Sequence, residues 1–174
     1  KAEVPMTDGG TTGPNQLIVE GNIIQQNNVG LGLNLENTDL IQGQHFVNLV
    51  LRGAGNHTYQ NAGSAIPRLW KIEVDKGLDL TSGFTFNTSL QIVGPTNEAE
   101  KPIELINGKL TLDDPALNLT LSSGGGHFVI PATSGLELTA GQYKITGIET
   151  GLILEGLLKL NGANLDIGDT PGEN

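Results

Sequence analysis

Three histidines, His45, His57 and His127, are the first side chains to weigh as metal ligands or bases. No H-x-x-x-H or H-E-x-x-H spacing links them, so nothing local would aim two imidazoles at one ion. Serine nucleophiles need a sharp G-x-S-x-G elbow, which is absent; Ser64, Ser82, Ser89, Ser122, Ser123 and Ser134 all stand in turn-like contexts. Glycosidases need two carboxylates roughly 5–10 Å apart. The pairs on offer are Asp113 with Asp114, Asp75 with Asp79, and Asp166 with Asp169. Asp113-Asp114-Pro115 reads as a turn whose side chains cap their own backbone. Asp75, Asp79 and Asp166 alternate with apolar residues and mark outward faces. Calcium is the one ion the composition suits, since acidic and Asn/Gly-rich turns offer hard oxygens. Yet D-x-[DN]-x-[DN]-G is missing, and Gly124-Gly125-Gly126-His127 begins like a calcium-roll repeat and then lacks its Asp. No Gly-Lys-Ser/Thr follows that triplet, so it is no phosphate loop. Three N-x-[ST] triplets, at Asn56, Asn87 and Asn118, occur at about the chance level for so many Asn, Ser and Thr.

The remaining chemistry gathers in residues 52–69, a polar, Gly/Pro-containing stretch read as a loop projecting from the fold. It carries Arg52, His57, Tyr59 and Arg68, the only two arginines included, and ends just before Trp70. Aromatic rings among amides are what carbohydrate and protein recognition surfaces use. These five residues are therefore the candidate ligand contacts. The competing structural use is that Trp70 plugs the interior beneath the loop while Tyr59 pins it. No catalytic, cofactor-binding or metal-ligating residue is expected.

Composition narrows the classes. Net charge is −10, with 19 acidic against 9 basic residues, so the Lys/Arg footprint of a nucleic-acid binder is missing. With only two arginines the chain is also poorly suited to holding uronate polymers. Cysteine is absent, which removes disulfides and thiolate chemistry. No apolar run approaches the ~18–20 residues of a membrane helix. Glycine is plentiful at 25 of 174 and aromatics number only seven.

The apolar residues fall in short period-2 runs with a turn residue at each edge. In the second half these are Leu110–Leu112, Leu119–Leu121, Phe128–Ile130, Leu136–Leu138, Tyr143–Ile145, Leu152–Leu154, Leu158–Leu160 and Leu165–Ile167, starting about eight residues apart. Three such steps make about 24 residues, a natural length for one three-sided coil. The spacing predicts an all-β chain, a parallel β-helix (β-solenoid) of about six coils over residues 17–168 with loops inserted at 52–69 and 94–102. Residues 1–16 read as a leader or linker and 169–174 as a tail. Each segment should pair in parallel with the one three steps on, bringing Leu112 to Leu138, Leu138 to Leu160 and Ile145 to Ile167. Looser runs in the first half, among them Leu33–Leu35, Ile72–Val74, Leu78–Leu80 and Phe84–Phe86, are further strands. A sandwich, the alternative, would pair consecutive segments as hairpins and place more aromatics in its core.

The ending GLILEGLLKLNGANLDIGDTPGEN (151–174) resembles the coils of right-handed parallel β-helix segments in large secreted bacterial surface proteins of the adhesin or autotransporter-passenger type, most like those of Bacteroidetes. That resemblance implies an extracellular or cell-surface, non-enzymatic scaffold. Its partners would be neighbouring segments of a longer chain or like subunits, with a glycan or host surface protein as a further candidate. A carbohydrate-binding module and a small polysaccharide-active β-helix enzyme are the alternatives.

Overall fold

The computed structural model describes residues 15–26, 32–37, 45–96, 100–123, 126–147 and 149–168. Within them the chain forms strands and turns and no helix. It passes along three faces in a repeating order. A first pass contributes β1 (Asn15–Val19), β2 (Ile23–Gln25) and an isolated bridge from Asn34 to Arg68. After it come the two-residue β3 (Glu36–Asn37), then β4 (His45–Arg52), β5 (Asn56–Asn61) and β6 (Arg68–Leu69). Next are β7 (Lys71–Asp75), β8 (Gly83–Phe86) and β9 (Gln91–Ile92). The long β10 (Ile103–Leu112) serves two faces in one strand and precedes β11 (Asn118–Ser122). The last passes are β12 (Phe128–Ile130), β13 (Ser134–Leu138), β14 (Gln142–Thr146), and then β15 (Leu152–Leu154), β16 (Leu157–Leu160), β17 (Asn164–Gly168).

Every ladder between passes is parallel. The expected registers are found: Leu112 opposite Leu138, Leu138 opposite Leu160, and Ile145 opposite Ile167. Four passes are laddered to a neighbour on all three sides, β4–β5–β6 with β7–β8–β9 and β12–β13–β14 with β15–β16–β17. The chain is thus a β-solenoid of about four turns rather than about six. Among the described residues no ladder links the first half of β10 to β12, or β9 to β11; β10 joins the halves through β7, β8 and β13, and Ser123 N donates to the Thr96 carbonyl beside the missing β9–β11 ladder. Among the described residues one pair is antiparallel, β3 with the start of β4, and it is outside the parallel scheme.

Alternation explains the core. On one face Leu17, Leu49, Ile72 and Ile103 stack through successive strands, with Val19, Leu51, Val74 and Leu105 beside them. On the next, Ile23, Tyr59, Phe86, Leu112, Leu138 and Leu160 form one continuous column. Intervening residues such as Thr111, Glu137, Lys144, Lys159 and Asp166 point outward, as period 2 requires. A strand of three to five residues buries too little to stand alone, and stacking supplies the missing partners above and below.

Two glycines make the corners feasible. β10 bends at Gly108, whose φ of 78° is left-handed and where a Cβ would collide with the carbonyl oxygen of Lys76. At Gly156 a Cβ would strike the carbonyls of Pro131 and Ser134.

Two sequence expectations need correction. Residues 56–61, expected inside a loop, are β5, a full member of a face. Its inward positions are His57, Tyr59 and Asn61, so apolar alternation is absent although the geometry alternates. Conversely Leu78–Leu80, expected as a strand, is an exposed turn in which Asp79 accepts hydrogen bonds from the Thr81 amide and hydroxyl. The expected leader and tail lie almost wholly outside the described residues, with β1 already formed at Asn15.

Candidate functional site

The five candidate contacts are spread over three faces and share no common surface, although His57 and Tyr59 both lie on β5 and Lys76 links His57 to the Arg52 carbonyl. Arg52 closes β4 on an outer face, 4.0 Å from Glu73 Oε1 and 3.8 Å from Asp75 Oδ2. Arg68, on β6, donates through Nε and Nη2 to Glu36 Oε2, at 3.0 and 2.7 Å, and so neutralises a carboxylate that is buried. Tyr59 is fully buried, lies against Phe86 with ring centroids 5.6 Å apart, and donates its hydroxyl to Gln25 Oε1. Burial pushes its phenol up to about 12. Trp70 sits half-buried at a corner, not inside the coil, and stacks on Phe46 at 3.8 Å between centroids with 14° between ring planes.

His57 faces inward beneath the corner that joins the first two faces. There Lys76, completely buried, gives one Nζ hydrogen bond to the Arg52 carbonyl and shares a 2.7 Å contact with His57 Nδ1. Burial depresses the Lys76 pKa, an effect that Glu20 opposes. Glu20, Arg52, Asp75 and Asn107 also meet at this corner, around an open cavity of about 360 Å³. Sequence spacing could not reveal it, because Lys76 meets residues 19 and 24 positions away only through the coil. Several of its groups bond one another, Asn107 Nδ2 donating to Asp75 Oδ1 and Lys76 Nζ to the Arg52 carbonyl, which fits a corner clamp, while the buried Arg52 Nε has no hydrogen-bond partner among the described residues.

The carboxylates weighed for catalysis have structural uses. Asp114 is buried; Oδ1 accepts from the Ala116 amide and the Ser89 hydroxyl, and Oδ2 from the Leu90 amide of the previous pass. Its cap thus reaches across coils as well as along its own turn. Glu137, between Lys109 and Lys159 of flanking strands, is held below the usual carboxylate range chiefly by its hydrogen bond from Lys159, with burial opposing. Among the described residues no three His, Asp or Glu side chains cluster as a metal site. His127 borders a cleft of about 260 Å³ with Lys71, Lys101, Glu104 and Phe128, where the ladder between β10 and β12 is missing. The side chain of His45 lies outside the described residues.

The feature that stands out is the end of the coil. Leu154, Leu160 and Ile167 occupy core columns directly above Ile130, Leu138 and Ile145. Those three partners are wholly buried, whereas Leu154 is 50 %, Leu160 46 % and Ile167 50 % exposed. Sequence reading missed this contrast, because the same L-x-L pattern occurs in buried and terminal coils alike. Compared with known proteins, the chain matches no family model, no curated protein and no solved structure.

Proposed function

We propose that this chain is a non-enzymatic structural β-solenoid, a stalk or filament segment of an extracellular bacterial surface protein of the adhesin or autotransporter-passenger type. The observation that carries the reading is the uncovered core column set at β15–β17. Aliphatic side chains in register with a buried core, left half exposed, form a docking end for another coil. The outer faces fit a scaffold too. Several of their cations pair along the coil axis, Lys71 with Glu104 and Lys109 and Lys159 with Glu137. Carbohydrate recognition through the five candidate residues finds less support, since Tyr59 is buried and both arginines are paired.

Hydrogen exchange on the monomeric chain tests this reading, together with incubation against uronate and neutral glycans with and without Ca²⁺. Amides on the free edge of β15–β17 should exchange far faster than those of β13 and β14, a hydrophobic dye should bind, and no glycan should be cut. Cleavage of any glycan, or full protection of β15–β17 without dye binding, would overturn it.

A further inference from the structure

The ladders of the coil break along one continuous line. β9 leads into β10 and β11 into β12, so the two missing ladders, β9 to β11 and the first half of β10 to β12, lie end to end around one corner. Together they make a slit across two of the three faces. On one face it opens as the cleft of about 260 Å³ beside Leu105, His127 and Phe128. On the other it opens as a cleft of about 330 Å³ between Ile92 and Leu117. At the corner between these clefts Thr96 and Ser123 tie the lips. The Ser123 amide and hydroxyl donate to the Thr96 carbonyl, at 2.6 and 3.0 Å, and the two hydroxyls lie 2.7 Å apart. The slit stops at two stitched corners. At one end the Gly108 amide donates to the Thr133 carbonyl, and at the other Asp114 Oδ2 accepts from the Leu90 amide.

We infer that this slit is a hinged seam: the coils before and after it swing apart about the unbroken third face, with Thr96 and Ser123 as the latch. The third face runs β2, β5, β8, the second half of β10, β13 and β16 without a missing ladder. On the slit faces the ladders are whole on either side, β1–β4–β7–β10 and β12–β15 on one, β6–β9 and β11–β14–β17 on the other. Two well-laddered blocks are thus joined by one laddered face. Across the slit, strand pairing is lost but core packing is kept. The Phe128 amide donates to Gly151 of the last pass, so the alternation of a parallel strand turns the Val129 amide and carbonyl toward the slit. Leu105, Leu117 and Phe128, which line the clefts, are each no more than 5 % exposed, so the closed seam is the resting state. Apolar contact holds the lips together without direction, whereas a ladder fixes spacing and angle at every hydrogen-bonded pair. The seam therefore sets where the coil bends and which way: the Thr96 corner opens and the face of β13 and β16 becomes the inside of the bend.

Distances between paired spin labels on the full chain test the inference, and the chain has no cysteine of its own to remove. Ile18→Cys with Ile153→Cys spans the slit, and Ile24→Cys with Lys159→Cys spans the same five steps along the unbroken face. Each pair is separated by about 24 Å at about 4.8 Å per step. All four positions are exposed. Gln16→Cys replaces Ile18→Cys should that variant fail to fold by circular dichroism. The distribution across the slit should be at least twice as wide as that along the unbroken face. Ile18→Cys with Glu104→Cys stays on one side of the slit and should be narrow. Thr96→Val with Ser123→Ala, or Ser123→Ala alone if the double variant does not fold, should widen the slit distribution further and leave the unbroken face as it was. Equal widths on the two faces would overturn the hinge. Equal broadening of the Ile18–Glu104 pair would overturn it too, because the motion would then belong to β1. A slit distribution that the Thr96 and Ser123 changes do not move would overturn the latch.

Discussion

Leu112, Leu138 and Leu160 occupy one column in consecutive strands, so cutting each to alanine probes the open end directly. Leucine to alanine removes three carbon atoms, worth about 2.4 kcal/mol of transfer energy at about 0.8 kcal/mol each when fully buried. Leu112 and Leu138 are wholly buried with strands on both sides, so a residual cavity adds to the loss and the total should reach about 3–4 kcal/mol. Leu160 is 46 % exposed, which leaves about half of the transfer term and no closed cavity, hence about 1 kcal/mol. The gap of about 2 kcal/mol corresponds to roughly a thirtyfold difference in the unfolding equilibrium constant. Urea unfolding followed by circular dichroism, at protein concentrations low enough to exclude association, reads it out. A Leu160→Ala cost within about 0.5 kcal/mol of the Leu138→Ala cost would refute the argument, because the end would then be covered in the monomer.

Three further outcomes follow from the corners and the buried titratable groups. Gly156→Ala places a methyl against the Pro131 and Ser134 carbonyls and should cost at least ~2 kcal/mol, detaching β15–β17 first; hydrogen exchange localises the loss. Tyr59 and Tyr143 have folded pKa values above 10.0, through burial in both and the Asp114 and Asp113 charges at Tyr143. Their folded state therefore binds the more protons above pH 10, and stability should be intact below that value and fall as pH climbs toward 12. Tyr59→Phe should blunt that alkaline loss in a pH series of melting curves. Lys76→Met removes the donor to the Arg52 carbonyl and His57 and should cost about 1–3 kcal/mol at neutral pH. Because the folded Lys76 pKa is depressed below 10.5, the unfolded chain binds the more protons just below that value, so wild-type stability gains there with rising pH and the Met variant should lose that gain.

Much of the architecture was legible because its cause is local. Period-2 alternation fixes which residues face inward, and three steps of about eight residues match one three-sided coil. Parallel stacking three segments on then follows, down to Leu138 opposite both Leu112 and Leu160. The Asp114 turn was legible for the same reason, since an Asp before Pro and Ala caps the amide two residues on. What the sequence left undecided depends on contacts made around the coil. Asn56–Asn61 reads as a loop by its polarity, and becomes a strand because Lys76, 19 residues past His57, and Gln25, 34 residues before Tyr59, satisfy its inward groups. Leu78–Leu80 reads as a strand by alternation, yet Asp79 and Thr81 close a turn there. Arg52, His57, Tyr59, Arg68 and Trp70 lie within 19 residues of sequence, and three faces of a coil separate them. The open end is the clearest case: Leu138 and Leu160 sit in the same L-x-L pattern, and only the presence or absence of a strand above makes one core and the other surface.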